Sequence, residues 1–330
     1  MRDRMVRTVR SLLVQARLTF LLHRFTLVAV SAMLILVAAA AFVVAFRLRA
    51  LGVTADCLDA WPRVGPGAPS AACQASANEF RSINGAWAGP LMGAVGGVAP
   101  LAGLLAGAAL VAREIEDGTA AVAWSLDPSR MRWLAGRVVP VAVLLLVLSA
   151  VASVAATDLA GARYPGLDPS LSFYNGSSHG LTPVAAGMLV FAAAVFAGSI
   201  LGRVLPALIV GAVLGLVLVS GVFFSENSWF PGQTIFVDAR LQNTEYNGAY
   251  VLDDGVRLSS GEFKSLMDIS VNFDSDGNVT GLPPGAAFVA RLIPGTRHPF
   301  IDAVEATALA AMAAFLLTAT AFVVRRRRPY

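Results

Sequence analysis

Six stretches of this chain are apolar over a length that matches the thickness of a lipid bilayer, and this limits its fold more than any other feature. About 30 Å of hydrocarbon takes roughly 20 residues of helix. Windows of that kind fall at 26–46, 91–112, 138–157, 183–202, 204–224 and 302–324. The chain is 56% hydrophobic and 14% charged, with mean hydropathy +0.68, a composition that no water-facing globule accommodates without large apolar patches. The fourth and fifth windows are parted only by Gly202 and Arg203 ahead of Pro206. Their joint length exceeds one crossing, so a helical hairpin is expected there.

The first window is too long for the core of a cleavable leader and ends in Phe46-Arg47-Leu48-Arg49 without a small-residue cleavage site, so it is expected to remain as a span. Arginine placement gives the orientation. Arg2, Arg4, Arg7, Arg10, Arg17, Arg24, Arg113, Arg130, Arg132, Arg137, Arg203 and Arg325 to Arg328 fall on one side of the implied topology. Only Arg47, Arg49, Arg63, Arg81 and Arg163 fall in short loops of the other. Both termini are therefore expected to be cytoplasmic. The net charge of +4 reads as anchoring to an anionic lipid bilayer, and a nucleic acid is not an expected partner. A single lysine among 25 basic residues suggests a GC-rich bacterial gene and the inner membrane.

Cys57 and Cys73, the only cysteines, share the first outer loop with Trp61, Pro62, Pro66 and Pro69. An oxidising compartment and an even count predict a disulfide, the alternative being two free thiols; no histidine lies near enough in sequence to suggest a metal. By this topology His23, His179 and His298 lie on both sides of the membrane, which excludes one site shared by all three.

Residues 1–25 place Arg7, Arg10, Arg17 and Arg24 on one sector of a helix and Val9, Leu12, Leu13, Ala16 and Phe20 on a facing one, which predicts an interfacial helix serving as an elbow or as a plain anchor. Segment 225–301 gains Asp, Asn, Ser and Gly. Thr234-Ile235-Phe236-Val237 and Ala249-Tyr250-Val251-Leu252, the latter followed by Asp253-Asp254-Gly255, predict small β-hairpins. Asp274, Asp276 and Asn278 around Gly277 lack the remaining positions of a calcium loop and read as an Asp-Gly turn.

Catalytic constellations are scarce. Lys264 follows Gly261-Glu262-Phe263 and is the sole lysine, so no Gly-x-x-x-x-Gly-Lys-Ser/Thr phosphate cradle exists. Asp158 and Glu305 are the only ionisable groups expected near the hydrocarbon, both toward outer ends. Gly103 with Gly107 and Gly211 with Gly215 are pairs four residues apart that let helix backbones approach closely.

The inner loop 112–137 opens on Arg113-Glu114-Ile115-Glu116-Asp117-Gly118-Thr119 and continues through Trp124, Pro128, Arg130, Arg132 and Trp133 to Arg137. A helix over about Glu116 to Ser125, stopped by Asp127-Pro128, would give a partner something short and rigid to grip. The alternative is a loop whose charges only cap and orient helices, with Trp124 and Trp133 as interfacial anchors.

Glu114, Glu116, Gly118 and Thr119, then Pro128 and Arg130 to Arg132, then Arg137, resemble the ABC-2 type permeases, in which a Glu-x-Glu-x-Gly-Thr stretch, a Pro-x-x-Arg step and a basic residue link the second and third spans. The resemblance covers nearly the whole chain, although 225–301 is longer than that family's usual re-entrant hairpin. It implies coupling to a cytoplasmic ABC ATPase subunit through Glu114, Glu116, Gly118, Thr119, Arg130 and Arg132. It also implies a second permease copy or a homologous permease, ATP and Mg held by the partner with no cofactor on this chain, and Gly211 and Gly215 at a dimer seam, the alternative being packing within one chain.

The expected fold is thus an all-α integral membrane protein: an elbow helix over 1–25, five spans within 26–224, a small extracytoplasmic β-containing insertion over 225–301, and a sixth span with a basic tail over 302–330. The expected function is export of a hydrophobic or amphipathic substrate. A membrane-anchored sensor or immunity protein binding an external ligand through 225–301 is the rival reading. An intramembrane enzyme would need paired ionisable residues inside the spans.

Overall fold

A computed structural model describes residues 19–59, 70–126, 129–229, 231–238, 248–268, 272–273, 279–280 and 284–327. The elbow helix expected over 1–25, the Asp127-Pro128 stop and the Asp-Gly turn at 274–278 fall largely or wholly outside these residues.

Every apolar window lies in a helix long enough to cross a membrane. The first is α1 (Arg24–Ala50). A short α2 (Ala55–Asp59) and α3 (Ala71–Ile83) follow. A π-helical turn, Asn84–Ala88, joins α3 to α4 (Gly89–Glu116). The eight-residue α5 (Thr119–Leu126) precedes α6 (Arg130–Arg163), which extends beyond its apolar window at both ends. Ser129 caps α6 by accepting from the Arg132 N–H. The predicted hairpin is α7 (Thr182–Leu201) and α8 (Val204–Trp229), separated at Gly202, whose φ is +64°. The sixth span is α9 (His298–Arg326).

Cys57 of α2 and Cys73 of α3 form the predicted disulfide, with Cα atoms 6.0 Å apart. Arg81 of α3 reinforces the junction by donating to the Leu58 carbonyl.

Helix α7 is the axis of the bundle. Its span is 72% buried, against 17% for α8 and 28% for α1. Lipid tails are as apolar as leucine, so close van der Waals contact has to hold such helices together. A Cβ on Gly103 would come 2.3 Å from the Gly187 carbonyl, and one on Gly107 2.6 Å from the Phe191 carbonyl. From the other side, Gly211 approaches the Ala194 Cα at 2.8 Å by the same measure, and Gly215 approaches Val190 at 2.9 Å. Both glycine pairs therefore pack α4 and α8 onto α7 within one chain. The faces of Gly211 and Gly215 are filled by α7.

The β-rich segment forms an antiparallel sheet in the order β1 (Ile235–Asp238), β6 (Ala287–Ile293), β2 (Tyr250–Arg257), β3 (Phe263–Ser265), with β4 (Asn272–Phe273) and β5 (Val279–Thr280) as a separate ladder. Val237, Ala249, Ala290 and Leu292 form its small core. Asp253-Asp254-Gly255 is not the turn the sequence suggests. It runs through β2, where a Cβ on Gly255 would meet the Lys264 carbonyl of β3 at 2.2 Å and the Phe263 ring at 2.7 Å. The chain reverses instead at 258–262, closed by the Leu258 N–H to Glu262 carbonyl bond, with Gly261 at φ +87°.

These contacts predict that Gly103→Ala lowers stability by about 1–3 kcal/mol through overpacking. Gly97→Ala on the same helix, where a Cβ meets nothing within 4 Å, is neutral or stabilising by up to about 1 kcal/mol. Thermal unfolding in detergent distinguishes the two.

Candidate functional site

The acidic heptapeptide is where α4 stops. The Asp117 N–H donates to the Arg113 carbonyl and the Gly118 N–H to the Ile115 carbonyl. Gly118 takes φ +72°, the left-handed conformation that closes a helix and that glycine adopts without strain. The Thr119 hydroxyl then bonds back to the Glu114 carbonyl at 3.1 Å. The short helix expected from Glu116 accordingly starts at Thr119, as α5, with α4 running continuously into the Gly118 break.

Glu114 is 6% exposed. Its Oε1 lies 2.7 Å from the Arg137 Nε and 3.6 Å from the His23 Nε2, and its Oε2 accepts from the Trp133 indole at 3.1 Å. Arg137 also donates to the Thr19 hydroxyl, which donates onward to the Gly136 carbonyl. All five side chains are buried. The Glu114 carboxylate is thus turned away from any partner and ties the end of α4 to the starts of α6 and α1. Trp133, legible in sequence only as an interfacial anchor, is a hydrogen-bond donor in this knot. Together with Asp302, Glu114 and Arg137 enlarge the set of ionisable groups held inside span helices beyond Asp158 and Glu305.

Other members of the stretch remain at the surface. Exposed Glu116 accepts from the Val204 N–H at 2.9 Å, capping α8. Arg113 and Asp117, both exposed, lie 3.8 Å apart one turn along the helix. Arg130 bonds to the Arg325 and Arg327 carbonyls and stands over Trp124 at 5.1 Å, while Trp124 meets Trp133 edge-on at 5.5 Å. Arg132 is exposed. Glu116, Gly118, Trp124, Gly202, Arg203 and Arg327 line a cleft of about 580 Å³ between α5, the α7–α8 turn and the end of α9. Glu116 and Gly118 thus share one cleft, Arg130 contacts two residues of its lining, Trp124 and Arg327, and Thr119 bonds to the Glu114 carbonyl.

At the opposite end, Asp302 of α9 reaches over to cap α7. Its carboxylate accepts from the Leu181 and Thr182 N–H groups and from the Thr182 hydroxyl at 2.6 Å. His179 and His298, ring centroids 5.2 Å apart, meet beside it, far from His23. Burial, reinforced by the neighbouring His298, holds the His179 imidazole below its ordinary pKa of 6.5, opposed by the Tyr174 carbonyl and Asp302. Among the described residues, no group of three or more His, Cys, Asp or Glu side chains is placed to hold a metal ion.

Two outcomes follow. Glu114→Ala strands the buried Arg137 cation and costs about 3–5 kcal/mol, whereas adding Arg137→Leu recovers most of the loss. Glu116→Ala costs only about 1 kcal/mol. A double-mutant cycle read by thermal unfolding checks the coupling. For His179, the unfolded state binds protons more readily than the folded one. The stability it contributes is therefore complete above pH about 6.5 and is lost as pH falls below that value. Unfolding measured between pH 7.5 and 5 should show this acid-side decline reduced in His179→Gln.

No curated protein and no solved structure matches this chain. The sequence profile of the family described as ABC-2 membrane transporter related matches residues 27–225, a region that takes in five spans, the disulfide, the Gly118 break and the Glu114–Arg137 pair. With more than half of its length matched in this way, the chain belongs to the ABC-2 membrane transporter related family.

Proposed function

We propose that this chain is the permease subunit of an ABC exporter and that α5 receives the stroke of a separate ATPase subunit. The observation that carries the reading is a short surface helix joined to a span through Gly118 and backed by a buried charge knot that grips three helices at once. A conformational change in a partner is transmitted only through an element that does not give way, and the Glu114 cluster supplies that stiffness. Val122, 60% exposed on α5, offers the partner an apolar contact, and the cleft beside it carries both Glu116 and Arg203.

Arg113, Arg130, Arg132, Arg203 and the basic tail lie at the α5 end of the bundle, which supports a cytoplasmic location for that end and for both termini in a bacterial inner membrane. The sheet and the disulfide then face outward. ATP and Mg belong to the partner, since this chain has no phosphate cradle. A second permease copy or homologue completes the pathway, and walls of Ala, Val, Leu, Gly and Phe suit a hydrophobic or amphipathic cargo.

The test is co-purification with the product of an adjacent ATPase gene and nucleotide hydrolysis after reconstitution in lipid. Val122→Asp, at an exposed position, should leave thermal unfolding unchanged and weaken partner capture at least about tenfold. Unchanged capture and hydrolysis in Val122→Asp combined with Glu116→Ala would refute docking at α5, and absence of capture and hydrolysis with the unaltered chain would leave the external-ligand sensor as the better reading.

A further inference from the structure

Arg163, the last residue of α6, is partly buried with no acid beside it among the described residues, unlike two other arginines of the span helices, the buried Arg137 and the exposed Arg49. Arg137 is paired with Glu114, and Arg49 with Asp158 at 2.8 Å. Arg163 has no carboxylate within ion-pairing distance among the described residues. Its Nε donates to the Asn84 side-chain carbonyl at 2.8 Å and its Nη1 to that of Asn175 at 3.3 Å, which leaves Nη2 without a protein acceptor among the described residues.

Both amide partners sit on unusual backbone. Asn84 opens the π-helical turn between α3 and α4, a distortion often found at functional sites. Asn175 has φ +60°, the only left-handed non-glycine conformation among the described residues, and its Nδ2 is buried without a hydrogen bond there. Such conformations persist where the surroundings enforce them, and they collect at binding sites. Here the two neutral amides orient a guanidinium and leave its charge in place.

That guanidinium lines a cleft of about 330 Å³ with Ala55, Leu58, Tyr164, Leu167 and Tyr174. It stands over the Tyr164 ring at 5.4 Å, and the Tyr164 and Tyr174 rings lie 4.9 Å apart, tilted by 38°. The cleft lies just past the ends of α1 and α6, beyond the apolar windows whose length matches the hydrocarbon, and tyrosines concentrate at that boundary.

We infer that this cleft binds a phosphate group, with the phosphate oxygens accepting from Arg163 and the tyrosine rings walling in the attached glycerol or similar polyol. A fixed guanidinium fork suits phosphate geometry. The inference stands independently of the α5 docking reading.

The test uses the full chain in detergent, with thermal unfolding followed during titration with phosphatidylglycerol, diacylglycerol, glycerol 3-phosphate and inorganic phosphate. Phosphatidylglycerol should raise the unfolding temperature and diacylglycerol should not. Arg163→Gln should lose at least about tenfold in apparent affinity, as expected for a charge-assisted bond. Leu167→Trp, which fills the cleft and leaves Arg163 intact, should lose as much, and it decides the matter if Arg163→Gln does not fold. An Arg163-dependent response to glycerol 3-phosphate or inorganic phosphate as strong as that to the lipid assigns the site to soluble phosphates; a response to phosphatidylglycerol alone assigns it to lipid headgroups. Equal stabilisation by diacylglycerol, or full phosphatidylglycerol affinity in both variants, overturns the inference.

Discussion

A carboxylate buried in an apolar bundle has to be neutralised where it stands, and the Glu114 carboxylate imposes that requirement on three helices at once. Transfer of an isolated charge out of water costs more than any single apolar contact returns. Arg137 on α6, Trp133 one helical turn earlier and His23 ahead of α1 must therefore arrive together. The same cation draws Thr19 into the cluster. The ends of α1, α4 and α6 are thereby held in one arrangement, whereas smooth apolar helices in lipid could slide or rotate past one another with little change in contact area.

Acidic side chains do a related job on the short hairpin. No side chain within the N-terminal turn of α7 caps it. Its first N–H groups bond to Asp302, which comes from α9. At the other end of the bundle, the Val204 N–H at the start of α8 bonds to Glu116 of α4. In both cases a group that every helix leaves open at its N-terminus is closed by a carboxylate distant in sequence, so that capping also fixes tertiary position. Between those two caps the hairpin is held by backbone proximity, through Gly103 and Gly107 on one side and Gly211 and Gly215 on the other.

The spans, the α7–α8 hairpin and the Cys57–Cys73 bridge were legible because each rests on local sequence: apolar length, a Gly-Arg break, two cysteines in one loop. The inward turn of Glu114 was less legible. Residues 113–119 look like a charged loop, yet α4 continues through Glu116, and at 100° per residue Glu114 and Glu116 point to nearly opposite faces. One carboxylate then faces the bundle and the other water. Once the helix is extended that far the division follows, but its partners do not, since Arg137 and His23 are distant in sequence and nothing local pairs them. Asp253-Asp254-Gly255 misleads for a similar reason. The residues suit a turn, but Gly255 lies in β2 against the Lys264 carbonyl and the Phe263 ring of the neighbouring strand, where a Cβ would not fit.

The two acidic joints at the α5 end differ in strength, and the difference limits how a push on α5 would travel. Removing one partner from the buried Glu114–Arg137 pair costs about 3–5 kcal/mol, whereas the exposed Glu116 cap of α8 is worth about 1 kcal/mol. Under load the weaker joint yields first. Helices α1, α4 and α6 would then move as one body, while the α7–α8 turn, with Arg203 at its tip, would part from α4 at Glu116. Farther into the bundle, the glycine contacts hold the backbones of α4 and α8 close against α7. The opening would therefore be confined to the end nearest α5, and its effect on the rest of the bundle would be a tilt of α7 against Asp302, with no unpacking of its core.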